Sequence, residues 1–293
     1  MAKKYLVRDA KQLAHDFYTR FDEGFIFRRV DTLAFIVDQY DAFKKFAGKK
    51  GGAIETSDKK YLEGLRAEIH FAEIHQAECL FALMIAPFQS LPHWLYLTTY
   101  TTGEIREAMK AFLDCDISKL TGSRVKTPEE FVDRAVYMGF KTVEPAKAER
   151  WNMNLENIVW VLRMICQKFL AADEYNAYKH GLRVMTGETG FMIYPENRPD
   201  LANTLAHSED SLTYLEIKRA DGDTRQVFQT VKHFSWVESY NLILIMRLLL
   251  ETIKATRLAK LDKKPGTELH TFLDLDRERL LDGSGGTRWS ISA

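Results

Sequence analysis

The sequence predicts a mainly α fold: an up-and-down helical bundle with a small inserted antiparallel β-sheet. Three observations carry this. Apolar residues recur at three- and four-residue spacing over most of the 293 residues, the periodicity switches to alternation only between about 182 and 233, and helix-opening signatures recur along the chain. The composition is that of a globular protein, 46% hydrophobic, so wholesale disorder is excluded. Forty-one basic residues balance 41 acidic ones, which excludes a histone-like or acidic-tail mode of binding.

Two helices are expected first, at 9–22 and 27–47, the second on the spacing of Leu33, Ile36, Val37, Tyr40 and Phe43. Gly48, Gly51 and Gly52 end that pattern. Ser57 and Asp58 can cap a long helix running to Ala86, where Pro87 stops it. From Cys79 to Ala86 this helix is apolar all round and must be surrounded by protein. A short turn near 91–97 precedes a helix from Gly103 to Asp114 with Thr102 as its cap. Thr127, Pro128 and Glu130 then occupy the cap, first and third positions of a capping box that opens a helix through Tyr137. Asn154 opens a helix through His180, closed by Gly181.

Strands are expected at 182–185, 190–194, 212–218 and 224–231, with hairpin turns at Gly187 to Gly190 and Asp221 to Asp223. Ser235 and Glu238 form a second capping box, opening a helix over 236–262. Its apolar body, Leu242 to Leu250, belongs to the core or to a homodimer contact. Residues 1–263 thus read as a single helical domain with a β insertion at about 182–233, and 264–293 as a polar C-terminal tail.

The three cysteines form no Cys-x-x-Cys pair, which disfavours a disulfide scaffold or zinc ribbon. No apolar run approaches the roughly 20 residues of a membrane span, and no secretory signal follows Met1. A cytoplasmic protein that does not engage a membrane is expected. The phosphate loop, the Gly-x-Ser-x-Gly elbow and the His-Glu-x-x-His helix are all missing from the sequence, so no cofactor is expected.

Two clusters carry chemistry. Asp173, Asn176 and His180 stand at i, i+3 and i+7 and share one helical stripe. A histidine in the last turn, one turn from a carboxylate, can act as acid or base near neutral pH. Lys179 and Arg183 beside it can hold a phosphate. The second cluster is His70, Glu73 and His75, flanked by Glu68 and Glu78. It offers a carboxylate and imidazole metal site as an alternative, although the order His-x-x-Glu reverses that of ferritin-like centres. Trp94, Tyr96 and Tyr100, among threonines, can stack on a base but more often join helices.

A long helix with His and acidic residues entering an apolar stretch, followed by a helix ending in Asn-x-x-x-Lys-His-Gly, resembles the helical hairpin of HEPN-type domains over about 58–182 and the closing helix. The resemblance implies a nucleic-acid or nucleotide-interacting protein of a toxin or defence system, in its catalytic form a metal-independent ribonuclease with His180 as acid/base and Asn176 orienting it. The family's signature is an Arg, then four to six intervening residues, then the His. Here Asp173, Glu174 and Tyr175 fill those positions. Only the Asn176 and His180 pair carries over, and many relatives lacking the Arg are non-catalytic binders. The alternative is a non-enzymatic helical interaction protein in which the polar stripe locks a helix end.

Overall fold

A computed structural model describes residues 10–49, 58–122, 124–139, 145–179, 184–193, 203–219, 225–263, 270–274 and 288–292. The chain is mainly helical, with a small antiparallel sheet inserted between two helices. In order the helices are α1 (Ala10–Arg20), α2 (Phe25–Asp38), α3 (Tyr40–Lys49), α4 (Asp58–Ile85), α5 (His93–Tyr96), α6 (Thr102–Leu113), α7 (Ile117–Thr121), α8 (Pro128–Val136), α9 (Pro145–Leu170) and α10 (Asp173–Lys179). Strands β1 (Val184–Ile193), β2 (Asn203–Arg219) and β3 (Arg225–His233) follow, then α11 (Trp236–Leu261), β4 (His270–Asp274) and β5 (Arg288–Ser292). The chain divides into two compact units. Unit 1 is Met1–Phe27, His75–Ala171 and Asn241–Ala293, and unit 2 is Arg28–Ile74 and Ala172–Tyr240.

Capping chemistry sets several boundaries. Thr127 accepts the Glu130 N–H at 3.2 Å, as expected, but the Glu130 carboxylate reaches back one residue further, to the Lys126 N–H at 3.0 Å. Replacing Thr127 by Ala is expected to cost about 1 kcal/mol of stability. A urea midpoint that does not move would contradict that role. At α6 the cap is Thr101, not Thr102: Thr101 and Glu104 exchange side-chain and backbone bonds at 3.2 and 2.7 Å. Thr102 is freed to donate to Glu78 at 2.6 Å. Ser235 caps α11 through the Glu238 N–H.

Three expected elements differ. The helix predicted over 27–47 is split at Gln39, although the bonds from Gln39 N to Phe35 O and Phe43 N to Gln39 O continue the helical pattern. The helix expected to open at Asn154 begins at Pro145, where proline suits the first position. Asn154 lies buried within it and donates its amide to the Tyr137 hydroxyl at 2.9 Å. That helix ends at Leu170 and restarts at Asp173. Ala171 and Ala172 favour helix by propensity, so tertiary contacts impose the break. Finally, Gly187 to Gly190 is not a turn: it lies inside β1, where the register against β2 shifts between Gly187 and Thr189. Glycine in a strand marks such an irregularity.

The sheet has the order β1-β2-β3, with Leu212 of β2 opposite Thr186 and Lys232. The Asp221 to Asp223 turn lies outside the described residues, between Arg219 and Arg225, which pair. Within 264–293 the described residues form β4 and β5, paired antiparallel with Phe272 opposite Ser290.

In unit 1 the C-terminal half of α4 is core, as its all-apolar surface requires. Leu80, Phe81, Ala82 and Met84 are fully buried, and Phe81, Phe112, Phe131 and Phe88 form a chain of ring contacts at 5.9, 5.7 and 5.4 Å. Leu242, Ile243, Ile245 and Met246 of α11 are fully buried within the single chain.

Candidate functional site

In unit 2 the first turn of α10 carries Glu174, with no solvent exposure. Its Oε1 accepts from Lys232 Nζ of β3 at 2.6 Å and lies 3.2 Å from His70 Nε2 of α4. The other imidazole nitrogen, Nδ1, stands 3.4 Å from the Ser239 hydroxyl of α11 and 3.8 Å from Glu73 Oε2. The Phe234 ring stacks on the imidazole at 4.8 Å. Burial alone would raise the Glu174 pKa, but hydrogen bonds from His70 and Lys232, with the lysine charge, hold it below the ordinary glutamate value. The last turn of α10 is tied as well. The Tyr178 hydroxyl donates to Glu68 at 2.9 Å, its ring stacks on Phe71 at 3.9 Å, and Arg29 pairs with the same carboxylate.

Ser239, His70 and Glu174 form a hydroxyl, imidazole and carboxylate row of the kind that activates a nucleophile. Here Ser239 and Glu174 are fully buried and His70 is 4% exposed, so no substrate reaches the row as it stands. Its chemistry is cohesion: it joins α4, α10, α11 and β3 through polar contacts that converge on Glu174 Oε1, while Glu174 Oε2 has no hydrogen-bond partner among the described residues.

The predicted site residues are distributed unevenly. Asp173 is exposed at the start of α10. Asn176 and Lys179 fall within α10, but their side chains, and His180 and Arg183 altogether, lie outside the described residues. Of the second cluster, His70 and Glu73 are brought together and buried, whereas His75 is exposed, five positions and about 140° round the helix from His70. Among the described residues no group of three or more His, Cys, Asp or Glu is placed to hold a metal ion. Of the aromatic cluster, Tyr96 is buried 6.1 Å from the half-buried Tyr100, Thr98 and Thr99 donate to the Leu95 carbonyl, and the Trp94 side chain lies outside the described residues.

Sequence reasoning missed a cavity of about 700 Å³ in unit 1. Its basic residues are Lys11 from α1, His93 from α5, and Arg257, Lys260 and Lys263 from the end of α11 and just beyond. Ala14, Pro87, Pro92, Met138 and Leu261 supply apolar wall, and among the described residues that line it none is acidic. Tyr18 lies 3.3 Å from His93 Nδ1 through its hydroxyl. Burial, with Arg257 and Lys260 nearby, pushes the His93 pKa down to about 4. Arg257 is 2% exposed, and burial pushes its pKa down to about 10, against a countering pull from Tyr18. The cavity draws on segments from residue 11 to residue 263, so no local motif announces it. The signals present were the i, i+3, i+7 stripe of Lys11, Ala14 and Tyr18, and an arginine four residues after the core residue Ile253.

No helix of the described residues is long and apolar enough to cross a membrane. No protein-family model, curated protein or solved structure matches the chain.

Proposed function

We propose that the chain is a HEPN-like nucleic-acid or nucleotide-interacting protein whose contact surface is the C-terminal end of α10, and that His180, with Asn176, Lys179 and Arg183, engages the phosphodiester. The observation that supports this reading is the anchoring of α10. Glu174 fixes its first turn and Tyr178 its last, and a side chain that must meet a ligand needs such a rigid carrier. Asp173 remains exposed on the same helix. In the catalytic form the reaction is a metal-independent cleavage of RNA with His180 moving the proton. Purified protein incubated with labelled single-stranded RNA and chelator is expected to yield fragments that His180→Ala abolishes. Equal cleavage by the variant would rule out catalysis by His180.

A second reading, a non-enzymatic helical interaction protein, is favoured by the burial of the His70 network, which turns its imidazole and Glu174 Oε1 to internal bonds. It expects His180→Ala to lower the thermal midpoint and to leave RNA binding and cleavage unchanged.

A further inference from the structure

The basic cavity of unit 1 has no part in the α10 reading, and Arg257 is its key. The guanidinium is a charged group placed among core residues of α11: Ile253, one turn earlier, is fully buried, and Thr256 is 6% exposed. Its Nη2 donates to the Ala135 carbonyl at 2.8 Å and the Tyr18 hydroxyl stands close to the guanidinium, but Nε and Nη1 complete no well-aligned hydrogen bond among the described residues. A buried charged donor left unused costs on the order of 1–3 kcal/mol or more, and a fold keeps such a group where something else is meant to meet it. A hydrophobic residue at 257 would remove that cost.

The surroundings say what meets it. Lys11, Lys260 and Lys263 are exposed, and together with Arg257 they give the cavity positive charge, with no acid among the described residues of its wall. Among the described residues that line it, the opposite charge is missing. A second, smaller cavity of about 420 Å³ shares Arg257, Lys260, Pro87 and Met138 with the first and does carry acids, Glu130 and Asp133. Among the described residues, the larger of these two cavities has no acid in its lining. Its other walls are apolar, and its volume lies in the range of about 300–1,000 Å³ typical of sites for small organic molecules. Inorganic phosphate would leave the apolar wall uncovered, and a neutral hydrocarbon would leave the cations without a counter-charge.

We propose that this cavity binds an amphiphilic organic anion, its carboxylate or phosphate oxygens on Arg257 and Lys260 and its apolar body against Ala14, Pro87, Met138 and Leu261. The Arg257 fork suits either head, since it can give two parallel hydrogen bonds to two oxygens of one group. Seclusion of the guanidinium from water strengthens the ionic contact. The site is independent of α10, and neither claim depends on the other.

Four probes test it by titration calorimetry on the full chain at low ionic strength: decanoate, decyl phosphate, decanol and inorganic phosphate. At least one of the two charged amphiphiles is expected to bind about tenfold or more tightly than decanol, as one charge-assisted contact implies. The tighter of the two identifies the head group. Inorganic phosphate is expected to bind at least about tenfold more weakly than decyl phosphate, for want of apolar burial. Arg257→Met should abolish the advantage over decanol while decanol itself still binds, which shows that the cavity persists. If that variant does not fold, Lys260→Met, at an exposed position, is expected to weaken the charged probe about threefold. Equal affinity for decanol and the charged amphiphiles, inorganic phosphate binding as tightly as decyl phosphate, unaltered anion affinity in the folded variant, or no binding of any probe would each overturn the assignment.

Discussion

Glu174→Ala is expected to lower the unfolding free energy by about 3 kcal/mol, the low end for a broken buried pair, because it leaves a buried imidazole without its carboxylate while Lys232, with 27% of its side chain exposed, can turn to solvent. Glu174 has no solvent exposure, Lys232 Nζ sits 2.6 Å from its Oε1, and His70 Nε2 is at 3.2 Å. Glu174→Gln keeps the shape and one acceptor and should cost less, about 1.5–3 kcal/mol, as for a hydrogen bond that loses its charge. The acid dependence has a definite sign. The folded-state pKa of Glu174 is held below its ordinary value, so its contribution is complete above the unfolded-chain pKa and disappears as pH falls through the folded one. Urea unfolding at pH 7 and at pH 3 should show the wild type losing part of its advantage over Glu174→Gln at the lower pH. A penalty below about 1 kcal/mol for Glu174→Ala at pH 7 would mean that the network is peripheral. It would also remove the rigid carrier on which the α10 reading leans.

That network illustrates what was legible in the sequence. The elements were readable because their signals are local: Thr127 with Glu130, Ser235 with Glu238, and the all-apolar surface of 79–86 each lie within a few residues and act through neighbouring backbone. The pairing of His70 with Glu73 was readable for the same reason, being one helical turn apart. Glu174 was not, because its partners are 104 and 58 residues away and its own neighbours, Asp173 and Tyr175, look like an ordinary exposed helix start. The break at Ala171 and Ala172 was hidden in the same way, since alanine favours helix and only distant bonds decide otherwise. Strand β2 extends nine residues before Leu212 through Asn203, Thr204, His207 and Ser208, where polar side chains mask alternation and pairing with β1 sets the conformation. Arg257 shows a third kind of invisibility. In sequence it is a cation near the C-terminal end of a helix, which the helix dipole alone would explain, and only its burial against Ala135 marks it as something else.

His93 supplies the other large expected effect, and it links the cavity to pH. Its folded pKa is about 4, against about 6.5 in an unfolded chain, because burial and the charges of Arg257 and Lys260 oppose the imidazolium. The groups facing it are Tyr18 and Lys11 from α1 and Arg257, Lys260 and Lys263 at the end of α11, with no carboxylate among the described residues of that wall. Between pH 6.5 and 4 the unfolded chain therefore binds a proton that the folded chain refuses, so stability is complete above pH 6.5 and is lost as pH falls towards 4. At about 1.4 kcal/mol per pKa unit, and allowing for partial exposure of the ring, the loss attributable to His93 is on the order of 2–3 kcal/mol. His93→Gln, which can still bond to the Tyr18 hydroxyl but does not titrate, is expected to flatten the stability profile over that interval. Superimposable profiles for the two proteins would place the acid sensitivity elsewhere. An anion in the cavity changes the outcome in a predictable direction: its negative charge offsets Arg257 and Lys260, eases protonation of His93 and so reduces the acid loss. By linkage the same anion binds more tightly as pH falls from 7 towards 5, until its own head group begins to protonate, and His93→Gln removes that gain. Decanoate titrations of both proteins at the two pH values separate this effect from the general fall in protein stability.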